Sequence, residues 1–302
     1  MKINLIESFC KQYVGFVRVV AEDGSFGWGQ LSTYNADITQ QILHRQVAPW
    51  VLGCDVSTPE MLDDTLDLVT EKEHKFPGSY LRRAMGGVDT AIWDLYGRQQ
   101  DKPVAAVLGG SAGKVRAYAS SMKRNITPQE EATRMCALRD KYGFDAFKVR
   151  AGAEVGRNQD EWPGRTEQII PTLRRSMGDK AALLIDANSC YTPERAIEVG
   201  LMLQDHGFCH FEEPCPYWEL EQTKQVTDYL NIDVTGGEQD CDLPTWRRMI
   251  NMRAVDIVQP DILYLGGICR TLQVVKMAAS AGLPVTPHCA NLSMVTLFTM
   301  HL

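Results

Sequence analysis

The chain has 302 residues, of which 44% are hydrophobic and 23% charged, a composition typical of a soluble globular protein with one large domain or one large and one small domain. The formal net charge of −7 and the lack of any basic block argue against a nucleic-acid partner. No apolar run approaches the roughly 20 residues that cross a bilayer, and Glu7 interrupts the region where a signal peptide needs its apolar core. The nine cysteines form no Cys-x-x-Cys pair, so we expect reduced thiols and a cytoplasmic protein.

The first part of the sequence predicts a small α+β domain over residues 1–113. Residues 2–30 predict a β-meander, because residues 14–20 are rich in β-branched side chains, Asp23-Gly24 is a hairpin turn signal, and residues 26–30 have the pattern of the next strand. Helical patterns follow, and Thr58 is expected to cap the second of them. These patterns cover residues 38–50, 59–69 and 80–99.

From residue 114 to residue 302, short strand patterns alternate with helical patterns. Strand candidates begin near seven positions, which are Ala117, Ala146, Ala182, His210, Asp233, Asp256 and Val285. This spacing predicts an α/β fold with parallel strands, because each parallel neighbour needs a crossover helix, and it favours a TIM-type (modified β/α) barrel. An open doubly wound sheet is the alternative, but no Gly-rich phosphate-binding turn follows the first strand candidate. A closed barrel needs eight strands, so seven candidates and a final helical pattern at 292–302 predict a barrel that lacks its last unit.

Acidic residues end three consecutive strand candidates. Asp186 follows the apolar run Leu183-Leu184-Ile185, and Glu212 and Glu238 come at successive intervals of 26 residues. In a TIM-type barrel the catalytic side chains lie at the carboxyl ends of the strands, so these carboxylates would converge. Converging carboxylates raise one another's pKa values, a penalty that a divalent cation removes. The spacing therefore predicts a metal site formed by Asp186, Glu212 and Glu238.

Other polar side chains stand at the tips of the strand candidates: Lys148, Arg150, Asn188, Asp261 and His288. Each has an ordinary structural explanation when it is taken alone. An acid after a strand can cap the next helix, Asp261 can belong to a turn, and Lys148 and Arg150 can belong to a solvated loop. Their common position at one end of the same kind of unit favours an active site.

The motifs at these positions resemble those of the enolase superfamily, and specifically its mandelate racemase subgroup. The matching segments are Phe147-Lys148-Val149-Arg150, Ile185-Asp186-Ala187-Asn188, Phe211-Glu212-Glu213-Pro214, Gly236-Gly237-Glu238, Asp256-Ile257-Val258-Gln259-Pro260-Asp261, Pro287-His288 and Gly87-Val88-Asp89-Thr90-Ala91-Ile92-Trp93-Asp94. The resemblance extends over nearly the whole chain. It implies a modified barrel with a separate N-terminal capping domain, and Mg²⁺ held by Asp186, Glu212 and Glu238.

The resemblance also implies a shared reaction step, the removal of the proton α to a substrate carboxylate, with His288 as base and Asp261 orienting its imidazole. The family usually carries a second base as the last residue of a Lys-x-Lys motif, where this sequence has Arg150. A guanidinium stays protonated at any working pH and is a poor base. A single remaining base suits elimination better than racemisation. Lys148 would help to bind the carboxylate or, as the alternative, act as a second base.

The lead hypothesis is therefore a Mg²⁺-dependent dehydratase of acid sugars (aldonates or aldarates). A racemase, epimerase or cycloisomerase that uses the same enediolate is the first alternative, and an inactive truncated fragment is the second. We expect a small carboxylate substrate that contacts Arg150, Asn188 and Tyr34, the last of these in a polar loop at 31–36. The resemblance also implies a homo-oligomer.

Overall fold

A computed structural model describes residues 1–31, 33–289 and 293–302 and shows an N-terminal capping domain followed by an α/β domain with a parallel sheet. The capping domain begins with three antiparallel strands, in the order β1 (Ile3–Lys11), β2 (Val14–Ala21) and β3 (Phe26–Leu31). Burial alternates strictly along β2, so the sheet has a buried inner face and a more exposed outer face. The meander predicted over residues 2–30 is confirmed.

Five helices follow the meander: α1 (Ala36–Ile42), α2 (Ala48–Val51), α3 (Pro59–Lys72), α4 (Ser79–Gln100) and α5 (Val104–Val107). The single helix predicted at 38–50 is divided, because residues Leu43–Val47 form a π-helix between α1 and α2. Helix α3 begins as predicted. The hydroxyl of Thr58 accepts a hydrogen bond from the Met61 N–H at 3.3 Å. Backbone N–H groups in the first turn of a helix have no acceptor within the helix, and Thr58 supplies one.

Helix α4 lies directly on the backbone of β3. A Cβ atom at Gly27 would come within 2.1 Å of the Ala91 carbonyl oxygen, and one at Gly29 within 2.2 Å of the Gly87 carbonyl oxygen. Only glycine permits this approach. The Gly-Trp-Gly sequence of β3 therefore fixes how closely the long helix packs on the sheet.

The described part of the α/β domain contains six parallel strands, in the order β4 (Ala119–Ser120), β5 (Ala146–Arg150), β6 (Ala182–Asp186), β7 (His210–Glu212), β8 (Asp233–Gly236) and β9 (Ile257–Val258). Its helices are α6 (Pro128–Tyr142), α7 (Arg165–Met177), α8 (Pro193–Asp205), α9 (Leu220–Tyr229), α10 (Leu243–Met252), α11 (Ile262–Leu265), α12 (Ile268–Ala281) and α13 (Met294–His301). The predicted alternation of parallel strands and helices is confirmed. The seventh strand predicted near Val285 is reduced to isolated parallel bridges, from Val258 to Val285 and from Asp261 to His288. The predicted start of the last helix, at residue 292, lies outside the described residues.

No helix within residues 1–31, 33–289 and 293–302 is both long and apolar enough to cross a membrane. The nine cysteines are free thiols, three of them buried.

Long-range hydrogen bonds join the two domains. The Asp89 carboxylate on α4 is fully buried and accepts the N–H groups of Ile268 at 2.5 Å and Cys269 at 3.1 Å, which open α12. On β3, the buried amide of Gln30 accepts the N–H of Val295 and donates to the Ser293 hydroxyl, each at 3.0 Å. Asp89 thus accepts N–H groups in the first turn of α12, and Gln30 accepts one in the first turn of α13, where the helix itself offers these groups no acceptor.

We expect Asp89 to make stability depend on pH. Burial raises the pKa of Asp89 from 3.8 to about 7, despite the N–H donors that lower it. Because the pKa of Asp89 is higher in the folded than in the unfolded state, the stabilisation that its protonation contributes to folding is fully present below about pH 4 and is lost as the pH rises to about 7. Between about pH 5 and pH 8, the free energy of unfolding of the wild type relative to Asp89→Asn should fall by about 3 kcal/mol. Urea denaturation at the two pH values measures this, and an equal pH dependence of both proteins would contradict it.

Candidate active site and metal centre

Three buried acids meet at the carboxyl ends of adjacent strands. Asp186 is the last residue of β6, Glu212 is the last of β7, and Glu238 follows β8 by two residues. Parallel pairing places Asp186 beside Glu212. One carboxylate oxygen from each acid lies within 4.8 Å of the others. The convergence predicted from the interval of 26 residues is thus present.

Two cations from β5 lie against these acids. The Lys148 Nζ is 2.6 Å from both Glu212 oxygens and 3.7 Å from Asp186 Oδ2. Arg150 Nη1 donates to Asp186 Oδ2. Burial alone would lower the pKa of Lys148, but the Glu212 carboxylate raises it above its ordinary value. Three carboxylates and two cations leave one negative charge in this group.

The donor set fits a hard divalent cation. Mg²⁺ and Ca²⁺ bind carboxylate oxygens in preference to nitrogen or sulfur, and Mg²⁺ leaves part of its coordination shell for substrate. Each carboxylate offers about four lone-pair positions, so an oxygen that pairs with Lys148 or Arg150 leaves capacity for a metal. A divalent ion would change the charge of the group from −1 to +1, which favours a carboxylate substrate.

His288 and Asp261 form a hydrogen-bonded pair beside Glu238. His288 Nδ1 is 2.8 Å from Asp261 Oδ2, and His288 Nε2 is 2.9 Å from Glu238 Oε2. The other Asp261 oxygen accepts the N–H groups of Leu263 and Tyr264, so Asp261 caps α11 and orients the imidazole at once. Burial opposes charge on His288, but hydrogen bonds to Asp261 and Glu238 raise its pKa to about 10.

The predicted substrate-binding residues differ in their surroundings. Arg150 is buried, and besides Asp186 its guanidinium donates to Asn188 Oδ1 at 2.6 Å and to the Ser121 carbonyl oxygen at 3.0 Å. Asn188 lies beside Asp186, and its side-chain oxygen orients this arginine. Tyr34 is 56% exposed on the loop between β3 and α1. Their contacts with substrate stay predictions.

Several residues of the site were not identified from the sequence. Gln259 donates to Glu212 Oε2 at 3.0 Å, and Arg124 donates to Asn188 Oδ1 at 2.7 Å. Gln259 directly follows β9, so its position at a strand tip was a usable signal. Arg124 lies on the loop after β4, where no motif marks it.

The capping domain reaches this site through Arg83 of α4. Its guanidinium carbon lies 3.5 Å from the ring centroid of Tyr264, and that ring lies 6.0 Å from the imidazole ring of His288. Such a cation–π contact is strongest where water is excluded, and Tyr264 is buried. A side chain of the capping domain therefore packs on the ring that lies beside His288.

Two further acids lie buried near the triad. Burial, with Glu238 and Glu212 close by, raises the pKa of Glu213 well above its ordinary value, and burial raises the pKa of Asp240 to about 7. Within the described part of the chain, Glu213 Oε1 and Asp240 Oδ2 are buried oxygens without a hydrogen-bond partner. Unsatisfied acidic oxygens beside three carboxylates are consistent with a site built for positive charge.

Family models match both domains. The enolase C-terminal domain-like model covers residues 130–302, and the mandelate racemase/muconate lactonizing enzyme N-terminal domain model covers residues 4–109. A protein from Roseobacter denitrificans that was solved as a candidate racemase is 77% identical, with a TM-score of 0.98 over 100% of this chain and 81% of its own. A mandelate racemase/muconate lactonizing protein from Paracoccus denitrificans PD1222, solved in complex with magnesium, is 27% identical, with a TM-score of 0.91 over 99% of this chain and 82% of its own.

Curated proteins give a similar result. The arabinonate dehydratase of Saccharolobus solfataricus is 29% identical over 280 residues, which are 89% of this chain and 70% of that protein. Further relatives at 24–29% identity are a galactarolactone cycloisomerase, dehydratases of talarate/galactarate and of galactonate, and an L-Ala-D/L-Glu epimerase. The chain is thus similar to acid sugar dehydratases and also to cycloisomerases and epimerases.

Proposed function

The chain belongs to the mandelate racemase subgroup of the enolase superfamily, and from that premise we propose that it is a Mg²⁺-dependent dehydratase of acid sugars. Its substrate would be an aldonate or an aldarate, and its product a 2-keto-3-deoxy acid. Asp186, Glu212 and Glu238 would hold the metal, whose chemistry is to stabilise the negative charge that develops on the substrate carboxylate as the α-proton leaves.

The observation that carries this proposal is a row of three acids with a lysine at one end and a histidine at the other. The strand order places Lys148 on β5, the acids at β6, β7 and β8, and His288 beyond β9. Only the histidine belongs to a pair that orients a base, since Asp261 holds its Nδ1 at 2.8 Å. The ammonium of Lys148 is instead held between both oxygens of Glu212.

This arrangement supports elimination through one acid–base group. In its neutral form, with Nε2 released from Glu238 Oε2, His288 takes the α-proton at Nε2, and Asp261 keeps Nδ1 as the donor, so that the tautomer is fixed. The same Nε2 then returns the proton to the departing β-hydroxyl, and water leaves as the C–O bond breaks. The resulting enol tautomerises to the keto acid, so atoms and charge balance without a further reactant.

Racemisation, epimerisation or cycloisomerisation is the second candidate, because relatives include a cycloisomerase and an epimerase. Any of these reactions requires Lys148 to take a proton from, or give one to, the face of the substrate opposite His288. To do so, the ammonium would have to leave Glu212, which holds it at 2.6 Å, and unlike His288, which must likewise leave Glu238 at 2.9 Å, it has no second carboxylate among the described residues that orients it as a base.

The test is to incubate the protein with Mg²⁺ in D₂O against a panel of aldonates and aldarates. Nuclear magnetic resonance follows the α-proton, and a chemical assay follows 2-keto acid. Keto acid formation supports the dehydratase. Exchange or inversion at the α-carbon without keto acid would replace the proposal with the racemase or epimerase.

Lys148→Met separates the two candidates further. We expect dehydration to fall about 10- to 100-fold, through weaker binding of the carboxylate, while deuterium exchange driven by His288 persists. Lys180→Met, which removes an exposed lysine just before β6, is the matched control and should change nothing. If Lys148→Met abolished exchange and left the metal affinity intact, the lysine would be a base, and the single-base mechanism would be wrong.

A further inference from the structure

The hydrogen-bonded pair of His288 and Asp261 depends on a single helical turn. Asp261 is the N-cap of α11, and its Oδ1 accepts the N–H groups of Leu263 at 2.9 Å and Tyr264 at 3.0 Å. Helix α11 has four residues, far fewer than the roughly 12 below which an isolated helix is marginal. Contacts from neighbouring elements must therefore keep this turn, and with it the Asp261 carboxylate, in place.

One face of α4, in the capping domain, supplies such contacts. Gly86 lies so close to α11 that a Cβ atom added there would be 3.3 Å from the Leu263 carbonyl oxygen. Three residues earlier, the Arg83 guanidinium carbon lies 3.5 Å from the ring centroid of Tyr264. Residues three apart in a helix lie on the same face. That face of α4 therefore borders both the backbone and a side chain of the short turn.

Tyr264 links Arg83 to the imidazole in two ways. Its backbone N–H donates to Asp261, whose other oxygen lies 2.8 Å from His288 Nδ1. Its ring centroid lies 6.0 Å from that of the His288 ring, and the side chain is buried. A cation–π contact is strongest where water is excluded, so the guanidinium holds this ring more firmly than apolar packing alone would.

We propose that Arg83 is a positioning residue for His288, and that it acts through Tyr264 and α11. The inference rests on the proposed function, in which His288 takes and returns a proton at Nε2. A shift of α11 would move Asp261 and turn the imidazole away from the α-carbon, and a misplacement of about 1 Å can cost about 100-fold in rate. The capping domain would thus contribute to catalysis through the geometry of the base.

A direct contact between Arg83 and a substrate carboxylate is the competing explanation, because a guanidinium that stacks on a ring can still donate its N–H groups to an anion. The two roles differ in their kinetics. Loss of a contact that is equal in the ground state and the transition state raises KM and leaves kcat unchanged, whereas loss of positioning lowers kcat.

The kinetic test uses Arg83→Met, which removes the cation and keeps an apolar side chain. With the aldonate or aldarate that gives 2-keto acid in the panel, we expect kcat to fall about 10- to 100-fold and KM to stay within about threefold. Arg83→Lys restores a cation over the ring and should recover part of the loss. Lys72→Met is the matched control, because it removes the cation 5.6 Å from the Trp50 ring in the same domain, and it should change neither constant.

Tyr264→Leu tests the route from the arginine to the base. It removes the ring and keeps an apolar side chain in a buried position, so we expect the same loss as in Arg83→Met. The double variant should lose no more than either single variant, because both substitutions remove the same contact. Circular dichroism and urea denaturation establish that each variant is folded.

A measurement without substrate separates this inference from the proposed function. In protein with isotope-labelled histidine, nuclear magnetic resonance detects the Nδ1–H that His288 donates to Asp261, and its absence from His288→Asn assigns the signal. Arg83→Met and Tyr264→Leu should shift or broaden this signal, because the imidazole no longer keeps one position against the carboxylate. Lys72→Met should leave it unchanged.

The two measurements together decide the proposal. A raised KM with kcat unchanged in Arg83→Met would overturn it and make the arginine a substrate contact. A fall in kcat without any change in the Nδ1–H signal would overturn it too, as would wild-type behaviour in both measurements. If the protein turned over no acid sugar, the proposed function would fail, while an altered signal in Arg83→Met would still support the positioning of His288.

Discussion

Replacing His288 with asparagine is expected to lower turnover about 10³-fold or more, which is the range that a single general acid–base group supplies. The asparagine amide can still donate to Asp261, as His288 Nδ1 does now at 2.8 Å. It offers no group at the position of Nε2 to take the α-proton or to return it to the leaving hydroxyl. Deuterium exchange at the α-carbon should therefore disappear together with keto acid formation.

The affinity for Mg²⁺ should not fall in this variant, since the substitution leaves the three acids in place and removes from Glu238 a donor that competes with the metal. Calorimetry with Mg²⁺ alone measures this without reference to turnover. His210→Asn is the matched control, because that histidine is half-buried in β7 and lies 3.6 Å from Asp233, among residues at the amino end of its strand. Turnover of this control should equal that of the wild type. A His288→Asn protein within about 10-fold of the wild type would remove the histidine from the mechanism.

Gly267→Ala is expected to destabilise the protein by roughly 3 kcal/mol or more. Gly267 has a φ of +114°, and a Cβ atom there would lie 2.3 Å from Cγ and 2.4 Å from Oδ1 of Asp89. The methyl group would therefore displace the carboxylate that accepts the N–H groups of Ile268 and Cys269. Urea denaturation measures the loss.

Gly282→Ala provides the comparison for that variant. Gly282 ends the same helix, α12, with a φ of +68°, and its added Cβ would meet nothing within 4 Å. This substitution should cost only the backbone penalty of about 1 kcal/mol. Equal losses in the two variants would mean that the contact with Asp89 contributes nothing to stability.

The sequence was most informative where one chemical group recurs at one position of a repeated unit. Asp186, Glu212 and Glu238 recur at strand ends at an interval of 26 residues, and parallel strands bring such ends together. Asp261 and His288 were predicted on the same basis and lie in contact. Their roles in catalysis stay proposals.

Contacts between distant segments were not predictable from the pattern. In the sequence, Asp89 stood out only as part of the family segment at residues 87–94. Its hydrogen-bond partners, Ile268 and Cys269, lie 179 and 180 residues further along the chain. The π-helix at Leu43–Val47 has the same apolar spacing as an α-helix over so short a stretch, so periodicity could not distinguish the two.

The two faces of β2 could not be distinguished from the sequence, and the reason is physical. Residues 14–20 alternate poorly in sequence because Phe16 and Val20 point outward and Val17 and Val19 point inward, so both faces of β2 are apolar. The burial nevertheless alternates at every residue. A strand that is apolar on both faces gives no alternation in the sequence, so its two faces could be distinguished only in the structure.

The hydrogen bonds of Asp89 and Gln30 also set an order of events during synthesis. The partners of Asp89 emerge from the ribosome about 180 residues after it, and those of Gln30 more than 260 residues after it. At 5 to 20 residues per second, the first interval alone lasts about 10 to 40 s. Throughout that time, both side chains lack the partners that they have in the folded chain and bind water instead. The contacts that join the capping domain to the barrel therefore form only after the strands between the two halves of each contact have been synthesised.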